Sequence, residues 1–299
     1  MVPVAGSDKM SLNHQLFLYL ILIVVFFLIL FPLYGLWLGV HPAKVLTNLT
    51  PANFEWEFEE VILKTSDGVE LSAWFVPASK NSDKVIVMLH GYGADMANLL
   101  SFAQFLHDDF NLFFFDMRYF GKSQGNMTTL GRDEQKDLDA AIAYVKNKGF
   151  AKIGLMGFSF GGAVAILGAS KNQDVSAVVT DSAYASLDLM GHVYWQNLFF
   201  LKYPLTFLTK VWGKIIFGID AGKISPEKAA KDLTIPILLI HSKSDQTIPF
   251  ENALRLQSAL GENKSAEFFF IENKVHGYLP GEVESEYQAK VTAFFKKNL

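Results

Sequence analysis

The sequence predicts an α/β protein with a mostly parallel central sheet, helices on both faces and one membrane-spanning helix ahead of it. Three observations carry this reading. Residues 16–40 contain no charged side chain. From about Asn53 onward, short β-branched or aromatic runs alternate with segments of helical periodicity. Several of these runs end in turns rich in glycine, serine, histidine or aspartate, and sheets of this kind bind their ligands beyond the carboxyl ends of the strands.

The apolar run comes first along the chain. At ~1.5 Å per residue, Leu16 to Val40 reaches across the ~30 Å hydrocarbon core of a bilayer. A cleaved signal peptide would have a shorter apolar core and a small-residue cleavage site, which the residues after Val40 fit poorly. A buried core helix seldom shows so long an uncharged run. Pro32 is tolerable in a bilayer helix, and Tyr19, Tyr34 and Trp37 sit toward the ends, where amphipathic rings favour the interface. Lys9 and the terminal amine on one side face Lys44 on the other, so the expected orientation places the N-terminus inside and the domain outside. The expected organisation is a tail at 1–15, a transmembrane helix at 16–40, a linker at 41–52 and one domain at 53–299.

Within that domain, Glu60–Thr65 and Glu70–Phe75 flank Asp67-Gly68, a dipeptide suited to a hairpin turn, and predict an opening antiparallel pair. Buried parallel strands are expected at Val85–Leu89, Leu112–Phe115, Ile153–Met156, Ala177–Val179, Ile237–Ile240 and Glu267–Ile271. Helices are expected at Asp133–Lys146, where Leu138, Ile142 and Val145 share a face, and near Glu284–Lys296.

Composition narrows the chemistry. With 26 Lys and Arg against 30 Asp and Glu, and no basic run, nucleic acid is not an expected partner. The absence of cysteine excludes disulfides, thiolate catalysis and Cys-based metal sites, so a covalent nucleophile must be oxygen or nitrogen. No phosphate-loop or dinucleotide-binding glycine pattern is present after Val85–Leu89, so phosphate binding is not expected there.

Two turns contain G-x-S-x-G, at Gly121–Gly125 and Gly157–Gly161. A serine nucleophile on this motif needs a strand before it and a closely packed helix after it. Ile153–Met156 and the small residues Gly161, Gly162, Ala163, Ala165 and Gly168 supply both to Ser159, whereas Ser123 is followed by a loop. A hydroxyl needs an imidazole to take its proton, and the imidazole needs a carboxylate to hold its tautomer. Of seven histidines, His276 lies in a loop after a late strand, in the chain order Ser, acid, His. Asp245, after Ile237–Ile240, is the expected acid, with Asp181 as the alternative. The amides of Phe160, next to the nucleophile, and of Tyr92, in His90-Gly91-Tyr92-Gly93, are the expected donors to an oxyanion.

Together with Asp116–Ser123, these motifs resemble the α/β-hydrolase superfamily across about residues 55–299. More narrowly, the chain is similar to membrane-anchored serine hydrolases of depalmitoylase-like, monoacylglycerol-lipase-like and serine aminopeptidase-like type. The resemblance implies the α/β-hydrolase fold, acyl transfer to water from an ester, thioester or peptide, and no cofactor. It also implies a structural role for Asp116–Ser123, with Arg118 bridging loops. Residues 187–231, crowded with aromatics such as Tyr194, Trp195, Phe199, Phe200, Tyr203 and Phe207, resemble a helical cap. Those rings either line an apolar route for an acyl chain or pack the cap onto the core.

The expected function is therefore a membrane-anchored serine hydrolase cleaving acyl esters or thioesters through a Ser159–His276–Asp245 triad. Its expected partners are a lipid, an acylated small molecule or a lipidated protein as substrate, and the bilayer through residues 16–40. A serine peptidase with the same triad and a catalytically silent membrane-tethered binding module are the alternatives.

Overall fold

The computed structural model describes residues 10–272, 275–277 and 281–299. Lys9 and the terminal amine, on which the orientation reading rests, lie outside the described residues, as do Asn273 and Lys274 of the histidine loop. In chain order the elements are helix α1 (Leu12–Val40), strands β1 (Glu59–Lys64), β2 (Glu70–Val76) and β3 (Lys84–Leu89), short helix α2 (Leu100–Ala103), β4 (Asn111–Phe115), α3 (Glu134–Asn147), β5 (Lys152–Phe158), α4 (Phe160–Ala169) and β6 (Val175–Asp181). There follow α5 (Leu187–Tyr194), α6 (Lys202–Ile216), α7 (Pro226–Ala230), β7 (Ile237–Ser242), α8 (Glu251–Ala259), β8 (Ala266–Ile271) and α9 (Gly281–Asn298).

The eight strands form one sheet in the order β1-β2-β4-β3-β5-β6-β7-β8. The first two pairings, β1 with β2 and β2 with β4, are antiparallel, and the others are parallel. Strand alternation splits the core into two layers. In β3, Val85, Val87 and Leu89 join the layer under α3, α4, α7 and α8, while Ile86 and Met88 join the layer under α2 and α9. The order reverses at β3, whose neighbours are β4 on one side and β5 on the other, so a crevice opens beyond the carboxyl ends of β3 and β5.

Helix α1 departs from a free-standing span. It starts at Leu12, inside the expected tail, and its last turns are part of the domain: Leu36 and Val40 pack with Leu167, Ile219 and Ile224. At Gly35 a Cβ would fall 2.7 Å from the Trp195 ring, so only glycine allows this approach. The segment after α1 also docks on the domain. Val40 O accepts from Thr128 N at 3.0 Å, Pro42 O from Tyr119 Oη at 2.7 Å, and Asp95 Oδ2 from Thr47 N at 2.6 Å. Uniformly apolar side chains carry no mark of which face meets protein and which meets lipid, so this docking is not written in the hydropathy pattern.

Two buried charged residues brace the loops around this junction. Arg118 donates to Asp137 Oδ1 at 2.7 Å and to Asp67 at 2.9 and 3.0 Å, tying the β1–β2 turn to α3. Glu134 is fully buried and accepts from Thr128 Oγ1, Thr129 N, Thr129 Oγ1 and Gly131 N at 2.6–2.9 Å, fixing the loop whose Thr128 amide holds Val40. Glu134→Ala leaves these donors buried without acceptors and is expected to destabilise the domain by roughly 2–4 kcal/mol. Thermal unfolding in detergent measures this; an unchanged melting temperature would show that the loop is not held by Glu134.

Candidate active site

The switch-point crevice is built around Ser159. It connects β5 directly to α4 and takes φ 53° and ψ −113°, a left-handed conformation that holds the side chain at the top of the sheet. The turn closes only because its neighbours lack side chains. A Cβ on Gly157 would sit 2.4 Å from Gly161 O, and one on Gly161 would sit 2.3 Å from Leu89 O. The Ser159 amide donates to Asp181 O at 2.7 Å, which anchors the elbow to β6.

Ser159 Oγ lies 3.1 Å from His276 Nε2, and His276 Nδ1 lies 2.6 Å from Asp245 Oδ2. A carboxylate can only accept, so Nδ1 carries the proton and Nε2 is left to accept from the serine hydroxyl. The other oxygen, Asp245 Oδ1, accepts from the Thr247 and Ile248 amides, each at 2.9 Å. Burial alone would raise the Asp245 pKa, but the bond from His276 and these two amides outweigh it and hold the carboxyl below its ordinary value. It is therefore ionised at neutral pH.

The structure thus brings together Ser159, His276 and Asp245 from three separate loops. Asp181, the alternative acid, is buried at the end of β6 and accepts from Ser182 Oγ at 2.9 Å, and Asp245 is the carboxylate that His276 Nδ1 meets. Ser123 is a loop brace. Its Oγ donates to Asp116 O at 2.6 Å and accepts from Ser72 N at 2.9 Å.

Phe160 opens α4, so its N–H has no carbonyl one turn back within the helix and lies at the positive end of the helix dipole, beside Ser159. Gly91, preceding Tyr92, packs against the same serine: a Cβ there would be 3.7 Å from Ser159 Cβ. The Tyr92 ring stands edge-on to Phe160, with centroids 6.4 Å apart, and its hydroxyl donates to Gly39 O of α1 at 2.8 Å. The loop holding Tyr92 is thus tied to the end of the apolar helix. Beneath it, buried His90 accepts from Met117 N at Nε2, 3.0 Å, which leaves Nδ1–H to donate to Gly91 O at 2.8 Å. Burial lowers the His90 pKa and keeps this bracing ring neutral.

Two residues at the site had no distinct sequence signal. Phe158, the variable position before the serine, places its ring 5.3 Å from that of His276. His241, on β7, is buried with Nε2 at 2.8 Å from Ile248 O and 3.9 Å from Asp245 Oδ2, and burial lowers its pKa. A histidine inside a strand reads as core, and only the packed structure places it under the acid loop. Among the described residues, no group of three or more His, Asp or Glu side chains is arranged to hold a metal.

A mostly parallel sheet of this order with a serine on the turn after β5 is the α/β-hydrolase fold, and comparison with known proteins supports a hydrolase of the α/β-hydrolase superfamily. The family model for the α/β hydrolase fold matches residues 84–211. Among solved structures, the chain is similar to the Pyrococcus furiosus esterase Pf2001, with 27% identity and a TM-score of 0.72 over 86% of this chain and 99% of that one. Among relatives, it is 27% identical to YfhR of Escherichia coli over 83% of this chain and 82% of YfhR. It is 25% identical to bem46 of Schizosaccharomyces pombe over 72% of this chain and 70% of that protein.

Ser123→Ala removes two hydrogen bonds and is expected to lower stability by about 1–2 kcal/mol while leaving turnover of an activated ester unchanged. Denaturant unfolding together with initial rates checks this; loss of turnover in a folded variant would give Ser123 a chemical role.

Proposed function

We propose that the protein is a membrane-anchored serine hydrolase that cleaves acyl esters or thioesters through an acyl-enzyme on Ser159. The observation that carries this reading is the continuous relay from Asp245 Oδ2 through His276 to Ser159 Oγ, at 2.6 and 3.1 Å. His276 Nε2 takes the hydroxyl proton as Oγ attacks the acyl carbonyl, and Asp245 stabilises the imidazolium that forms. The Tyr92 and Phe160 amides receive the developing oxyanion. His276 then returns its proton to the leaving group, and water repeats the sequence to release the acid.

Likeness to an esterase over nearly the whole of that protein supports ester chemistry, and no cofactor enters the scheme. Anchoring by α1 is supported by its 29 residues, which include an 18-residue stretch of mean hydropathy 3.2 with mostly exposed side chains. A cleaved signal sequence is disfavoured because removal of α1 would strip Leu36 and Val40 from the domain and leave the Tyr92 hydroxyl without Gly39 O. The natural substrate class we assign is a lipid, an acylated small molecule or a lipidated protein presented at the membrane surface.

Replacing Asp245 by Asn should leave the imidazole in the wrong tautomer and lower kcat for p-nitrophenyl esters by roughly ten-thousandfold, whereas Asp181→Asn should leave most of the rate. Equal losses in the two variants would remove Asp245 from the assigned role. Across p-nitrophenyl esters of increasing acyl length, kcat/KM is expected to rise by up to about fourfold per methylene buried, and aminoacyl anilides should be poor substrates. Faster turnover of the anilides would replace the esterase reading with that of a serine peptidase.

A further inference from the structure

The cap carries an apolar face that the globular domain does not bury. On α6, Tyr203, Phe207, Val211 and Ile215 recur every four residues and so form one stripe along the helix. Phe207 is 63% and Ile215 70% exposed, and just before the helix Phe199 and Phe200 are 82% and 76% exposed. The side of α6 that meets the protein is instead marked by buried Leu205, Thr206 and Gly213. A helix stripe facing water would normally be polar or charged.

The position of this face along α1 supplies the second observation. Trp212 Nε1 donates to Ile29 O at 2.9 Å, and Tyr194 Oη donates to Gly35 O at 3.2 Å. The Trp195 ring lies 5.3 Å from that of Phe31 and occupies the space beside Gly35. The apolar run of α1 begins at Leu16, after His14 and Gln15. About 20 residues cross the hydrocarbon core, so the core extends to about Gly35. Ile29 lies six residues, about 9 Å, deeper. A cap fastened to Ile29 cannot stay wholly in water while α1 spans the bilayer.

We propose that the cap is itself a membrane-embedded element, with α6 and the Phe199–Phe200 turn inserted beside α1 into the acyl-chain region of the nearer phospholipid leaflet. The proposal rests on α1 as the anchor and adds a second lipid-contacting surface to it. An insertion of about 9 Å falls within the ~5–10 Å typical of helices lying in the interface. Cations accompany the apolar residues: Lys202 Nζ lies 5.2 Å from the Tyr203 ring centroid, and Lys214 pairs with Asp220 at 3.1 Å, both on stems long enough to reach the headgroups. Gly39, which holds the Tyr92 hydroxyl, is only four residues, about 6 Å, above the level of Gly35. The mouth at Ser159 then faces the headgroup layer, and the exposed cap rings provide an apolar route along which an acyl chain leaves the bilayer.

The chain contains no cysteine, so single cysteines can be introduced and spin-labelled without background. Full-length Phe200→Cys, Phe207→Cys, Leu20→Cys on α1 and Leu254→Cys on α8 would each be placed in nanodiscs of phosphatidylcholine and phosphatidylglycerol. Collision with oxygen, which concentrates in lipid, is compared with collision with a water-soluble nickel chelate. The ratio of oxygen to nickel accessibility is expected to be several-fold higher at Phe200, Phe207 and Leu20 than at Leu254. A high ratio at Leu20 with an aqueous ratio at both cap sites overturns the embedded cap and leaves the anchor standing. Aqueous ratios at Leu20 as well overturn both. Cap labels shielded from both reagents would mean that protein, a second copy or another partner, covers the face, which also overturns the proposal.

Discussion

The hydrogen bond of 2.6 Å between His276 Nδ1 and Asp245 Oδ2 is the contact on which the rest of the site depends. His276 stands on a loop and is only partly buried, so the backbone alone does not fix the direction of its ring. Asp245 does, and it is itself fixed by two amides on its other oxygen. Buried His241, donating from Nε2 to Ile248 O at 2.8 Å, braces the same loop from below. If the carboxylate turned away, Nε2 would no longer present a lone pair to Ser159 Oγ, and the strained elbow at Ser159 would hold an unactivated hydroxyl.

The second constraint is the union of α1 with the domain. A tether that merely kept an enzyme near a membrane would need no buried contacts, yet Leu36 and Val40 are core residues and Gly39 O is bonded to Tyr92. Through Tyr92 the apolar helix meets the loop assigned to oxyanion binding, and through Trp195 and Trp212 it meets the cap. In the proposed function, the bilayer, the cap and Ser159 are thereby linked through one helix end, which would set the height of the site above the lipid.

Much of the fold could be read from the sequence because buried parallel strands are short, apolar and punctuated. All eight expected strands are present, with ends shifted by one or two residues where polar side chains such as Lys84, Asn111 and Lys152 still pair in the sheet. The meeting of Ser159, Asp245 and His276 was legible because each follows a strand and the glycines around the serine permit only one kind of turn. Which carboxylate reaches the histidine was less so, since Asp181 and Asp245 both end or follow neighbouring strands. The docking of α1 was not legible at all. A run such as Leu16–Val40 offers no polar side to mark its protein face, and the contacts at Ile29 and Gly35 are made by backbone carbonyls, which every sequence has. The cap rings were legible as a cluster but not as two populations, Trp195 buried against α1 and Phe199, Phe200 and Phe207 exposed. None of these rings lines the surface cavities of about 250 and 490 Å³ on the domain.

The most direct measurement is to label the full-length protein in detergent with a fluorophosphonate, digest it and map the modified peptide by mass spectrometry. An activated nucleophile at the elbow predicts a single adduct on Ser159, absent from His276→Ala although that variant keeps the hydroxyl. An adduct on another serine, or none on the folded wild-type protein, would contradict the assignment of Ser159 as the nucleophile of a serine hydrolase.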